Sequence, residues 1–303
     1  MEYEYRHQPL PSGMRSARFL LWLPQKERPL RAVLCSSDYE AGRTLYYHPE
    51  WRTFAEKHDC ACLLYDLTVN RERHRLAKDK TAADLLPVAL KDFARQFGQA
   101  NLANTGMVLT GLSQSGWQAV AFANLLSSRI IAAVPIHEAT PAPERGPEEG
   151  NKPAGWAVPQ LHVMGGRCFL TPLIQPWVLK AREHGALWTT YLQPGEQHHR
   201  VGDQRFILAW LEAVLSLRVS EGGNGRLNSL RATDGWLGHY TLTTRYTTTG
   251  TDTPPKIAPG QRPPDAETIV VKTEIAPATA DKLPAGESIW LPDARVAELW
   301  RAG

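Results

Sequence analysis

Near-continuous apolar runs recur along this chain as far as about residue 217, and each is followed by a stretch of helical composition. A run with no polar alternation suits a strand covered on both faces, which is the condition of a parallel strand between helical layers. Strands are expected at 18–23, 32–35, 62–67, 107–110, 130–136, 161–164 and 187–192, and helices at 49–57, 82–97, 115–126, 173–184 and 203–217. Such alternation predicts a doubly wound, mostly parallel α/β sheet. Residues 140–159, rich in Pro, Gly, Glu and Ala, interrupt it and read as a long exposed loop leaving a strand end. Residues 220–224 (Ser-Glu-Gly-Gly-Asn) read as a linker, after which Thr and Pro become frequent. Strand-like runs at 238–246 and 268–273 and a short helix begun after Pro292 and Asp293 predict a small β-rich C-terminal appendage. The expected division is therefore 1–218 and 219–303, the second part packed on the first.

Residues 106–119 carry the most specific local pattern. The run Gly-Met-Val-Leu-Thr enters Gly111-Leu112-Ser113-Gln114-Ser115-Gly116, and a proline-free helical stretch follows at once. A nucleophile lifted above a sheet sits on a tight strand-to-helix turn, so small residues are needed two before and two after it. Gly111 and Ser115 meet that need if Ser113 is the nucleophile. Ser115 is the rival, but Trp117 two residues on would crowd its turn. The blander reading is a serine that caps an ordinary helix. On the first reading the N–H of Gln114 faces any oxyanion formed at Ser113.

Composition narrows the function classes. The 303 residues carry a net charge of +3 with both signs interspersed, which argues against a nucleic-acid platform. No run has the length of a membrane-spanning helix. The start, Met-Glu-Tyr-Glu-Tyr-Arg, shows no basic, apolar and cleavage regions in succession. A secreted or periplasmic chain whose signal has been removed reads the same. The four cysteines, Cys35, Cys60, Cys62 and Cys168, include no Cys-x-x-Cys and no His/Cys group with zinc spacing, so no metal and no cofactor is expected. Cys60 and Cys62 point the same way along a strand and are poorly placed to bond each other, so free buried thiols are expected, with one disulfide left open.

A serine nucleophile needs a base, and the base needs an orienting acid. In α/β chains of this design the histidine follows the last strand and precedes the last helix. Tyr191-Leu-Gln-Pro-Gly-Glu-Gln-His-His-Arg fits that place. Only one of the adjacent His198 and His199 can point inward, and His198, nearer the strand end, is expected to be the base. His58 at a helix end and His162 inside a strand are worse placed. The usual acid position is the turn Met164-Gly-Gly-Arg-Cys-Phe-Leu-Thr-Pro, where Cys168 stands in place of an Asp. A neutral thiol cannot stabilise an imidazolium as a carboxylate does. Glu138, at the tip of the preceding strand Val134-Pro-Ile-His-Glu, is the expected substitute, with Asp203 as the alternative unless it caps its own helix.

The elbow resembles that of the α/β-hydrolase esterases of the polyhydroxybutyrate depolymerase and feruloyl or acetylxylan esterase group, which read Gly-Leu-Ser-Ala-Gly-Gly. Gln114 and Ser115 depart from that pattern. Between Gly111 and Ala139 the chain is also similar to the glucuronoyl esterases, whose Gly-Cys-Ser-Arg-x-Gly-Lys elbow precedes a strand ending Ile-Pro-Gln-Glu. That Glu is the family's catalytic acid, which carries over to Glu138. Gln114 and Trp117 stand where the family has its Arg and Lys, so glucuronate recognition does not carry over. The resemblance implies an α/β-hydrolase fold and a Ser113–His198–Glu138 triad working through an acyl-enzyme on a small or polymeric ester, such as a polyester or plant cell-wall ester. It implies a second oxyanion N–H from the segment Cys35–Tyr39, here Ser37. Tyr39, Trp117 and Trp177 are expected to line the substrate pocket. A peptidase or acyltransferase would use the same triad, and a non-catalytic binding protein on this fold stays open.

Overall fold

The computed structural model describes residues 2–25, 28–38, 42–69, 80–138, 154–220, 225–246, 266–280 and 283–303. Its main sheet has eight strands: β1 (Glu2–Arg6), β2 (Met14–Trp22), β3 (Ala32–Ser37), β4 (Cys60–Val69), β5 (Met107–Leu112), β6 (Ile130–Ile136), β7 (Gln160–Gly165) and β8 (Trp188–Gln193). They lie in the order β1-β2-β4-β3-β5-β6-β7-β8. β1 and β2 pair antiparallel with their neighbours, and β3 to β8 run parallel. Every residue of β3, β5, β6, β7 and β8 is buried, which is why their sequences lack the polar alternation of a half-exposed strand. β1 escapes that signal. Its Glu-Tyr-Glu-Tyr-Arg lies at an open edge with alternate residues exposed.

Pleating sorts each strand between two cores. Leu34, Cys60, Cys62, Leu64 and Val108 face the layer of α1 (Gly42–Tyr47), α2 (Pro49–Lys57) and α6 (Arg205–Arg218). Val33, Cys35, Ala61, Leu63 and Leu109 face α3 (Lys80–Phe97) and α4 (Gln114–Leu125). The helices bury matching stripes, such as Leu86, Leu90 and Phe93 on α3 and Phe206, Trp210 and Val214 on α6. A third cluster lies under α5 (Thr171–Glu183) and holds Met164, Cys168, Ile174, Val178 and Trp188. All four cysteines are free thiols, and Cys60 and Cys62 share one face as their spacing requires.

The C-terminal residues form a three-stranded antiparallel sheet in the order β10-β9-β11, made of β9 (Trp236–Tyr246), β10 (Ala266–Pro277) and β11 (Ser288–Leu291). Helix α7 (Ala294–Ala302) follows, started by Asp293, whose Oδ1 accepts from the N–H of Val296 at 2.7 Å. These elements join the first core. Trp290, Val296 and Trp300 are buried in the same cluster as Trp210 and Val214 of α6. Gly238 leaves room for the Trp300 ring, since a Cβ there would come within 2.7 Å of it. The buried polar groups of β8 find partners here: Trp300 Nε1 donates to the Thr190 carbonyl at 3.0 Å, and Thr190 Oγ1 to the Tyr240 hydroxyl at 2.7 Å. β10 begins beside the turn after β7, with the Thr268 N–H donating to the Gly166 carbonyl at 2.6 Å. Among the described residues no helix is long and apolar enough to cross a membrane.

Candidate active site

Ser113 stands between β5 and α4 at φ +57°, ψ −119°. A positive φ in a non-glycine residue costs roughly 1–3 kcal/mol and persists only where its surroundings enforce it. They do so here. Ser115 Oγ accepts from the N–H of Leu112 at 2.9 Å and donates to its carbonyl at 2.8 Å, clipping the turn shut. The Ser113 N–H donates to the Ile136 carbonyl at 2.8 Å, anchoring the turn on β6. A Cβ on Gly111 would lie 2.4 Å from the Ser115 backbone, so the position two before Ser113 admits only glycine. Although Ser113 occupies the cap position of α4, its side chain makes no capping bond. Its Oγ lies 2.8 Å from Nε2 of His198.

His198 comes from the loop between β8 and α6 and is buried, while His199 is exposed. Gln193 pins this loop near its far end, its Nε2 donating to the Asp203 carbonyl at 2.8 Å and its Oε1 accepting from the Gly202 N–H at 3.1 Å. The Arg167 N–H donates to the Glu196 carbonyl at 2.8 Å, and the Phe169 ring packs on the His198 ring at 4.9 Å. The ring's second nitrogen, Nδ1, faces Cys168 Sγ at 3.3 Å. Burial pushes the Cys168 thiol up to about 11, so it is neutral at pH 7. A carboxylate at this place can only accept, which forces the proton onto Nδ1 and leaves Nε2 to take the serine proton. A thiol can accept from Nδ1–H or donate to bare Nδ1, so it selects the productive tautomer weakly.

The expected contact between Glu138 and His198 is not made. His137 adopts φ +45° at the end of β6 and turns the chain so that Glu138 points beneath the sheet end towards β7. There Nδ1 of His162 donates to Glu138 Oε1 at 2.5 Å, with both side chains sealed from solvent. Glu138 Oε2 is buried with no hydrogen-bond partner. Asp203 also lies elsewhere: it is exposed, accepts from the Arg205 N–H at 2.9 Å, and is held below its ordinary range by the Arg205 guanidinium. Gln114 opens α4 directly after Ser113, and Ser37 is the last residue of β3, the strand beside β5. Trp117 is half-buried in the first turn of α4, its N–H donating to the Ser113 carbonyl at 3.1 Å. Trp177 packs its ring on His162 and Trp188, at 5.4 and 4.7 Å, inside the third cluster. Tyr39 and most of the 140–159 loop lie outside the described residues.

Sequence reasoning gave no part to His137 or His162. His137 is fully buried, its Nδ1 meets the His198 carbonyl at 3.0 Å, and burial lowers its pKa. Ligand atoms of His137, Cys168 and His198 all lie within 4.8 Å of one another. No spacing announces this cluster, because its members follow three different strands. For His162 the available signal was a histidine in a strand buried on both faces, which needs a polar partner on the next strand.

No protein-family model matches the chain, and no curated protein does. Solved structures similar to it include the Staphylococcus aureus fluorophosphonate-binding serine hydrolase FphF, at 13% identity over 71% of this chain and 97% of that one, with a TM-score of 0.47. Esterase PE8 is similar at 20% identity over 64% and 97%, with a TM-score of 0.48. The poly(3-hydroxybutyrate) depolymerase LpqC from Bordetella parapertussis is similar at 14% identity over 74% and 92%, with a TM-score of 0.46. These are distant likenesses. The strand order, the turn after β5 and the placing of the helices give this chain the α/β-hydrolase fold.

Proposed function

We propose that this protein is a serine carboxylic-ester hydrolase with Ser113 as nucleophile and His198 as general base. The observation that carries the reading is the 2.8 Å contact of Ser113 Oγ with His198 Nε2 on a turn held at positive φ. Ser113 Oγ attacks the ester carbonyl as its proton passes to Nε2, and the tetrahedral oxyanion draws on the N–H groups of Gln114 and Ser37. Collapse expels the alcohol, which takes the proton from Nε2. Water then cleaves the acyl-enzyme by the same route. Cys168 takes the place of the acid, and Glu138 acts behind it as the partner of His162. The substrate is an ester of a small molecule or a polymer, met by Trp117 at the start of α4. The neutral thiol at Nδ1 also favours a second reading, a binding protein on a hydrolase fold with vestigial chemistry.

Fluorophosphonate labelling and p-nitrophenyl acetate hydrolysis separate the two. The enzyme reading expects covalent modification at Ser113 and a turnover that falls to background in Ser113→Ala, a loss of about 10⁴-fold or more if the dyad acts as a unit. Labelling at Ser115, or none at all, would sink it.

A further inference from the structure

His137 ends β6, Cys168 lies in the turn after β7 and His198 in the loop after β8, and the three meet in one buried cluster. The His198 carbonyl can only accept, so the His137 nitrogen facing it at 3.0 Å, Nδ1, carries the proton. Nε2 of His137 then holds a lone pair, and it is buried with no hydrogen-bond partner. A histidine whose one N–H is fixed by a carbonyl while the other nitrogen stands bare is arranged like a metal-ligating imidazole. Cys168 Sγ and His198 Nδ1 stand 3.3 Å apart. Zinc bonds of about 2.0–2.1 Å to nitrogen and 2.3 Å to sulfur place one sulfur and two nitrogens roughly 3.3–3.6 Å apart in a tetrahedron. Ligand atoms of the three residues lie within 4.8 Å of one another, so side-chain adjustments of about an ångström or more bring them to that geometry. One thiolate and two imidazoles select a thiophilic divalent cation over magnesium or calcium.

We propose that His137, Cys168 and His198 form a binding site for zinc or a similar thiophilic divalent cation, and that filling it switches the Ser113–His198 pair off. The switching half rests on the hydrolase reading above; the binding half does not. Binding exchanges the Cys168 thiol proton for the metal: a sulfur–metal bond forms, an S–H bond breaks, and the proton leaves to solvent. No redox change is involved. Coordination takes the Nδ1 lone pair of His198, so the ring's proton must sit on Nε2. That nitrogen then donates to Ser113 Oγ and cannot accept its proton.

Cobalt is the probe for the site, because a thiolate ligand gives it a charge-transfer band in the near ultraviolet. Titration of the full chain with Co²⁺ should give one equivalent carrying that band, displaced by Zn²⁺. Cys168→Ser should lose the band. His137→Gln should weaken the affinity by at least the 10–100-fold that loss of an outer-shell partner costs a metal site. Melting temperatures without metal show whether each variant folds, and zinc at a fixed concentration should raise that of the wild type more than that of either variant. No thiolate band in the wild type, or one retained in Cys168→Ser, overturns the site. Saturating zinc should slow fluorophosphonate labelling at least tenfold, reversibly with EDTA. An unchanged labelling rate with the site filled overturns the switch. A chain that never labels, with or without metal, defeats the hydrolase reading while the cobalt spectrum still decides the site.

Discussion

At the scale of single residues, the site turns on what stands beside Nδ1 of His198. Losing the acid of a serine protease triad while keeping its geometry costs about 10⁴ in kcat. On the proposed hydrolase reading, Cys168, neutral and able to donate, leaves part of that deficit in place. Cys168→Asp should therefore raise kcat for p-nitrophenyl acetate, by roughly 10- to 1000-fold within that 10⁴ bound. The buried Glu138 nearby opposes a second carboxylate and holds the gain below the bound. An unchanged or lower kcat in a folded Cys168→Asp protein would remove the thiol from the account. Glu138 has another task. Its hydrogen bond with His162 is sealed from water, and leaving a buried polar partner unsatisfied costs about 1–3 kcal/mol. Glu138→Gln should lower the melting temperature by several degrees and change kcat by less than tenfold. A collapse of kcat at unchanged melting temperature would make Glu138 the acid after all.

Among the elements, the C-terminal sheet and α7 do the most for the core. The sequence leads one to expect an appendage packed on the first 218 residues, and Trp290 and Trp300 lie in the core beneath α6 and partner the buried polar groups of β8. Trp300→Ala should cost about 3–5 kcal/mol, the range for a large aromatic deleted from a core, and also strip Thr190 of a donor. Urea unfolding followed by circular dichroism measures this. A loss under 1 kcal/mol would mean the tail merely leans on the first 218 residues. β10 ties the same sheet to the turn bearing Cys168 through Thr268 and Gly166, so damage to the tail should reach the site.

For the whole molecule, four buried thiols make a pH-dependent reserve. In the unfolded chain each ionises near its ordinary value of 9.0, whereas burial lifts Cys168 to about 11, Cys62 to about 12, and Cys35 and Cys60 higher still. A raised folded-state value favours the protonated form, so the stability it supports is whole below about pH 9 and is lost as pH rises beyond. Each thiol contributes a fall of about 1.4 kcal/mol per pH unit in the window between its two values. Melting temperature should hold from pH 7 to 8.5 and drop steeply by pH 10.5, and a thiol reagent should find no reactive cysteine until denaturant is added. A flat profile to pH 10.5 would refute the burial of these groups.

The sequence by itself determined the pattern of buried parallel strands, the turn that presents Ser113, and the choice of His198 over His199. Those are local matters: apolar runs report burial on both faces, small flanking residues report a tight turn, and distance from a strand end reports which histidine can turn inward. It also put Cys168 where the resembling hydrolase turn would carry an Asp. Only the tertiary structure decided where Glu138 goes. The carboxylate's partner depends on a positive φ at His137, which no residue type announces, and on His162 lying across from it on the next strand. The same holds for β1, whose polar alternation carries no strand signal until β2 pairs with it, and for the two tryptophans that weld the tail to the core. Their positions follow from packing between segments about a hundred residues apart, and no spacing along the chain records that.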